Sequence, residues 1–152
     1  MEITIEIDQA KVYEEVAQTT SYTGAKMTYD DPKAYERILT KDEDRPQLVR
    51  FWDESCAAVC EELKTTLAED EFIAERMCWR LGLNVSSAFD TALLPSIEKE
   101  LFSFFVLNIT AKWYAFTNKK EAADYGIGAA SALESVHRKV CFKKRPKRPS
   151  FR

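Results

Sequence analysis

The cysteines and the single histidine come closest, by type and spacing, to a chemical site. Cys56 and Cys60 lie four positions apart, as do His137 and Cys141. On two helices, these pairs would offer three thiolates and an imidazole to a zinc ion. Neither pair has the tight spacing of common zinc sites, and Cys56 and Cys60 fall on an apolar stripe where cysteine acts as a small hydrophobe. We therefore predict no metal site, and expect His137 to be a core or interface histidine.

Other catalytic signatures are missing from the sequence. It has no glycine-rich dinucleotide or phosphate loop, no nucleophile elbow and no paired histidines of a zinc protease. The 25 acidic residues supply carboxylates in plenty. Nothing in the sequence places two of them together in a pocket, and solvated helix faces account for them. The sequence thus predicts a protein that is not an enzyme, with no catalytic residue and no cofactor.

A basic C-terminal segment is the strongest functional signal. Residues 138–152 contain eight Lys and Arg and no acid; without them, 14 basic residues face 25 acidic ones, so residues 1–137 carry −11. Pro146 and Pro149 keep the segment extended. Such tails contact other molecules rather than fold. The predicted partner-binding residues are Lys143, Lys144, Arg145, Lys147, Arg148, Phe151 and Arg152.

Two kinds of partner suit this tail. Nucleic acid is one, because the basic side chains would contact phosphates and Phe142 and Phe151 would stack on bases. However, the aromatic interleaving is thin, and the acidic remainder of the chain would repel DNA. Docking on an acidic protein surface is favoured, and sequence-independent DNA contact stays as the alternative.

The segment Pro95–Phe116 must organise the fold that positions this tail. Its apolar and aromatic residues cover well over half of a helical circumference, which is typical of a helix enclosed by other elements. Charges such as Glu98, Lys99 and Lys112 interrupt the apolar run, so it is too short to span a membrane. We predict a long, buried central helix and no membrane contact.

Weaker patterns predict the other elements. Residues 1–7 and 77–85 alternate as strands do, and an amphipathic helix is predicted from a Thr40–Glu43 capping box to about Thr66. Its inward stripe includes Val49, and a short acidic break is predicted after it, over residues 68–71. A last helix is predicted from about Lys119 to Val140. The fold class is therefore mainly α with a minor β element, in a single helical domain over residues 1–142 and an extended tail over 143–152.

The Thr-rich stretch over residues 19–31 lacks a helical period, and we predict an exposed loop there. It is a possible second contact, through Tyr22, Thr23, Lys26 and Tyr29. The chain opens without an apolar leader, so we expect it to stay in the cytoplasm with reduced thiols.

Two stretches resemble small head–tail connector (adaptor) proteins of tailed bacteriophages. The first is DEDRPQLVRFWDESCAAVCEEL, residues 42–63, and the second is LNVSSAFDTALLPSIEKELFSFFVLNITAKWYAFTNKKEAADY, residues 83–125. In those adaptors, a capped helix similarly precedes a short β segment and a long apolar helix that ends near an aromatic and a basic or amide-rich turn. The wider pattern also resembles prophage-encoded proteins found among virion genes. The N-terminal third departs from the plain adaptor pattern.

This resemblance implies a virion structural protein, assembled in the host cytoplasm, that forms a neck ring. Such a homo-oligomer, typically dodecameric, docks under the portal protein, meets neighbouring tail or neck proteins and encloses a DNA channel. Terminal extensions in that family reach the portal or an adjacent subunit. An acidic body would let DNA slide through the channel with only non-specific contact. The expected function is a connector subunit, with a DNA-binding accessory protein as the alternative.

Overall fold

The computed structural model describes residues 1–150, so the predicted contacts of Phe151 and Arg152 lie outside the described part of the chain. Three strands and five α-helices follow one another along the sequence. They are β1 (Glu2–Asp8), α1 (Gln9–Met27), α2 (Ala34–Ile38), α3 (Arg45–Glu62), β2 (Leu67–Ile73), β3 (Cys78–Asn84), α4 (Leu94–Thr117) and α5 (Lys119–Val140). Single turns of 3₁₀ helix precede α3 and α4. The predicted class, mainly α with a minor β element, is confirmed.

The three strands form one antiparallel sheet in the order β1-β3-β2. Ile3, Ile5 and Ile7 of β1 stand on the buried face opposite apolar residues of β3. Because side chains alternate along a strand, the glutamates of β1 fall on the opposite face. Both predicted strands are confirmed, and their apolar faces contribute to the same core as the helices.

The central helix α4 is enclosed, as its apolar circumference predicted. Phe105 at its middle is 0% exposed. Its ring centroid lies 4.5 Å from that of Trp52 on α3 and 5.6 Å from that of Trp79 on β3. Helix α5 follows after Asn118 and packs along α4, with the bounds that the sequence predicted. Tertiary contacts on several sides thus make α4 the centre of the core.

The predicted loop over residues 19–31 is wrong for most of its length, because α1 continues to Met27. Thr20 and Thr23 are buried in this helix, and the Thr20 hydroxyl donates to the Val16 carbonyl at 2.9 Å. Gly24 lets α2 approach, since a Cβ at this position would lie 2.9 Å from the Tyr35 Cα atom. Packing against α2 and α4 outweighs the weak helix propensity of the threonines.

The predicted start and end of α3 are also corrected. The helix is preceded by a turn in which Asp44, rather than Glu43, accepts the Lys41 N–H at 2.8 Å. The helix begins at Arg45 and ends at Glu62, before the predicted Thr66.

The segment before β3 is corrected as well. The acidic stretch at residues 68–71, predicted as a break, belongs to strand β2. The acidic composition of these residues does not favour a strand, but their backbone pairs with that of β3, and this pairing stabilises the strand.

Candidate interaction surface

The described part of the basic tail, residues 143–150, follows α5 without regular structure. Residues 141–150 are exposed, and this includes the five predicted contact residues that the structure describes. One of them touches its own domain: the Lys144 N–H donates to the Ala88 carbonyl at 2.8 Å, and its Nζ lies 3.2 Å from Asp90 Oδ1. Within residues 1–150, the structure records no ion pair for Lys143, Arg145, Lys147 or Arg148.

Asp90 connects the start of the tail to the turn that begins α4. Its carboxylate accepts the Ala92 backbone N–H at 3.0 Å and also contacts Lys144. The Ala92 hydrogen bond, followed by the Lys144 contacts, holds the pKa of Asp90 below its usual range. The carboxyl is therefore ionised at neutral pH, and the tail leaves the domain from this point.

Of the four residues predicted as a possible second contact, the structure exposes three and buries one. Tyr22 and Tyr29 are 65% and 96% exposed, and the Lys26 ammonium lies 4.6 Å from the centre of the Tyr22 ring. Thr23 faces the interior of the protein and is not accessible for contact. The stretch therefore presents two tyrosines and a lysine from the end of a helix and the turn after it, rather than a continuous loop.

The histidine and the cysteines lie in different surroundings. His137 Nδ1 lies 3.0 Å from Glu62 Oε1, so the histidine joins α5 to the end of α3. Cys56 is half-buried, and this burial, with Asp53 nearby, raises the pKa of its thiol. Cys141 is exposed at the end of α5. Across residues 1–150, no group of three or more His, Cys, Asp or Glu side chains is placed to bind a metal ion.

The outer edge of the sheet is a surface that the sequence did not predict. Strand β2 is an edge strand, and Glu69, Asp70 and Glu71 along it are exposed. Asp70 accepts the Trp79 indole N–H at 3.3 Å, and Glu71 pairs with Arg80 at 2.6 Å. Residues 68–71 were predicted as a break because no local pattern marks an exposed strand. The available signal was the apolar sequence of β3, which is typical of a central strand paired on both sides.

A groove of about 360 Å³ lies between β2 and α3. Its floor includes Trp52 and Trp79, whereas Val49 and Phe72 stand at its open side with 38% and 43% of their surface exposed. Val49 was predicted to face inward on α3, and the structure places it at this opening instead. The carboxylates that join these side chains around the groove are Asp53, Asp70 and Glu71. The sheet edge thus combines apolar surface with negative charge.

Comparison of the chain with protein-family models, with curated proteins and with solved structures finds no match in any of the three. The class of the protein therefore follows from its own structure: a mainly α fold in which a small antiparallel sheet packs on a helical core. Among the helices of residues 1–150, none is long and apolar enough to cross a membrane.

Proposed function

We propose that this protein is a virion structural protein, a head–tail connector subunit of the neck ring. It docks through its basic tail on the portal protein or on an adjacent copy, and it meets neighbouring tail or neck proteins. The observation that carries the proposal is the segregation of charge, with an exposed basic segment of no regular structure attached to an acidic folded body. The resemblance of residues 42–63 and 83–125 to phage adaptors supplies the class of particle.

The electrostatics suit a subunit beside a DNA channel. A body with net charge −11 repels DNA, so a duplex can slide along it without adhering. The tail has the opposite sign and lacks the apolar periodicity of a helix. Docking on an acidic partner surface then supplies the contacts that order it, at a cost in conformational entropy.

The proposed role requires no catalysis. Burial raises the pKa of Tyr13 and of Tyr114 to about 12. Neither tyrosine hydroxyl is therefore a base at neutral pH. The acids of β2 lie along an open strand edge, where water screens them.

The alternative is a DNA-binding accessory protein. The exposure of Lys143, Arg145, Lys147 and Arg148 favours it, because each side chain can approach a phosphate. The two functions differ in their salt dependence. A DNA-binding tail predicts affinity that falls steeply with salt and vanishes when residues 143–152 are deleted, whereas a docking tail predicts weak DNA binding in either form.

Negative-stain electron microscopy of the purified full chain, alone and with the portal protein of the same genome, tests the connector proposal. We expect rings, or density on the portal, with the full chain. The chain ending at Phe142 should give neither, because it lacks the docking residues. Rings or portal binding by the shortened chain would refute the docking role of the tail. A full chain that does not bind the portal protein but binds DNA would favour the DNA-binding accessory function.

A further inference from the structure

We propose that the open edge of β2, with the groove beside it, is the docking surface for the basic tail of a second copy of this chain. The β2 edge is defined here as Leu67–Ile73 together with Val49 and Asp53 of α3. This inference rests on the proposed function, in which the tail docks on an acidic partner, and it names the surface that receives the tail.

The backbone of β2 is open on one side. Strand β3 occupies the middle of the sheet, so the outer row of N–H and C=O groups of β2 faces away from it. Exposed strand edges are templates for an added strand, and proteins protect them with charged side chains, proline or bulges. Strand β2, LAEDEFI, has no proline, and its pairing with β3 is irregular only between Leu67 and Glu69. Its three acids discourage a neutral or acidic strand, so the extended segment that can add along it is a basic one.

The other edge of the sheet is less suitable for a basic segment. Strand β1 lies beside α4, and the groove between them is lined by Lys11 and Lys99 together with Glu6, Asp8 and Glu98. The two lysines offset most of the negative charge there, whereas no basic side chain of the described part of the chain lines the groove beside β2. This difference between the two edges selects β2.

Negative charge at the β2 edge comes from two elements. Glu69, Asp70 and Glu71 lie along the strand, where Glu71 is paired with Arg80, and Asp53 reaches the groove from α3. Glu69 also lies close to Glu2 across Gly82, since a Cβ built there would be 3.1 Å from Glu69 Cγ and 3.5 Å from Glu2 Oε1. The tail has five basic residues within positions 143–148 and no acid. Opposite charges of this density favour encounter and fix orientation.

The groove also offers apolar contacts that suit the tail. Phe72 and Val49 are partly exposed at its opening. Lysine and arginine bury their hydrocarbon stems on such surfaces while their charged ends stay in water. The Pro146 ring can pack there too. A basic, proline-containing segment thus matches both the apolar and the acidic parts of the β2 edge.

The sequence of the tail is compatible with strand addition. Successive N–H groups of an extended chain point to opposite sides, and the Lys144 N–H is bonded to Ala88 of its own domain. In an extended tail, the N–H groups of Arg145 and Lys147 would lie on the other side and could pair with β2. Pro146, which has no N–H, would lie on the Lys144 side and is tolerated, whereas Pro149 would lie on the pairing side and end the pairing.

Such a contact joins two different surfaces of the same chain. Each copy would give its tail to one neighbour and receive a tail from another, which produces a closed ring or an open filament. This is the kind of association that a neck ring requires.

Sedimentation velocity of the full chain over a range of concentrations tests the contact. The double variant Glu69→Lys/Glu71→Lys should weaken self-association at least about tenfold, because it replaces attraction by repulsion. The matched control, Glu14→Lys/Glu15→Lys, makes the same charge change on exposed positions of α1 and should associate as the parent does, while circular dichroism verifies folding of both. High salt should weaken association of the parent chain.

A mixing experiment identifies the two surfaces directly. The chain ending at Phe142 retains the β2 edge but has no tail, whereas Glu69→Lys/Glu71→Lys retains the tail but has an altered edge. Each alone should stay monomeric. Together they should form a one-to-one pair and nothing larger, because only one productive contact remains.

Several outcomes overturn the inference and leave the connector proposal standing. One is a full chain that assembles or binds the portal through its tail although Glu69→Lys/Glu71→Lys leaves association unchanged. Another is an absence of pairing in the mixture, which would mean that the tail docks within its own chain or elsewhere. If deletion of residues 143–152 changes neither self-association nor portal binding, both the inference and the docking role of the tail fail.

Discussion

At the scale of single residues, the burial of an aromatic side chain determines how much it contributes to the free energy of unfolding. Phe105 contacts rings from α3 and β3, whereas Phe116, about three turns further along the same α4, is 56% exposed. Both are phenylalanines of one apolar segment, and the sequence does not distinguish them. Their different surroundings lead to different expected costs of truncation.

Phe105→Ala should lower the free energy of unfolding by about 3–5 kcal/mol, because it removes a fully buried ring and leaves a cavity among large neighbours. Phe116→Ala is the matched control and should cost about 1 kcal/mol, the worth of its contacts with neighbouring rings. Urea denaturation of both variants measures the difference. Equal losses would show that α4 is not enclosed as described.

The cysteines should differ in reactivity. Alkylation requires the thiolate, and the raised pKa of Cys56 makes its thiolate scarce at pH values where an exposed thiol reacts. In native protein we expect iodoacetamide to modify Cys141 before Cys56, and before the buried Cys78, with the order lost in denaturant. Peptide mass spectrometry over a time course measures this. Early modification of Cys56 would contradict its burial.

At the scale of elements, the contact of α1 with α2 depends on a glycine. Gly24 has an ordinary helical backbone, and its value is space for the Tyr35 backbone rather than conformational freedom. This contact is one reason why α1 extends through a stretch whose local composition favours a loop.

Gly24→Ala should destabilise the protein by about 1–2 kcal/mol, because the new methyl group must displace the backbone of α2, which outweighs the helix propensity of alanine. Gly126→Ala on α5 is the control. A Cβ there meets nothing within 4 Å, so this change should stabilise by about 0.5–1 kcal/mol. Thermal or urea denaturation measures whether each variant is less or more stable than the parent chain. A stabilising Gly24→Ala would mean that α2 is not packed on α1.

At the scale of the whole molecule, the folded body and the tail are almost independent. The core ends with Val140, and beyond it the contacts of Lys144 with Ala88 and Asp90 attach the tail to the domain. Lys144 is exposed, so its ion pair is screened by water.

Deletion of Lys143–Arg152 should therefore change the free energy of unfolding by less than about 1 kcal/mol. Differential scanning calorimetry at low protein concentration, where any assembly is dissociated, measures this separately from docking. The parent chain at the same concentration is the reference. A loss of several kcal/mol would show that the tail is part of the domain.

The elements with strong local periodicity were determined by the sequence alone. Strand β1, the enclosed helix α4 and the bounds of α5 follow from side chains that repeat at the period of a strand or a helix, and such patterns require no knowledge of the partner. The basic tail can likewise be predicted from local sequence, because its charge and its prolines exclude it from a hydrophobic core.

Only the tertiary structure decided the extent of α1, the presence of β2 and the acidic edge of the sheet. Threonines remain helical in α1 because α2 and α4 cover them, and an acidic segment is a strand because β3 supplies its hydrogen bonds. These partners are distant in the sequence, so local propensity was outweighed by contacts it does not contain. The surface proposed to receive the tail exists for the same reason: it is assembled from β2 and α3, which meet only in the folded protein.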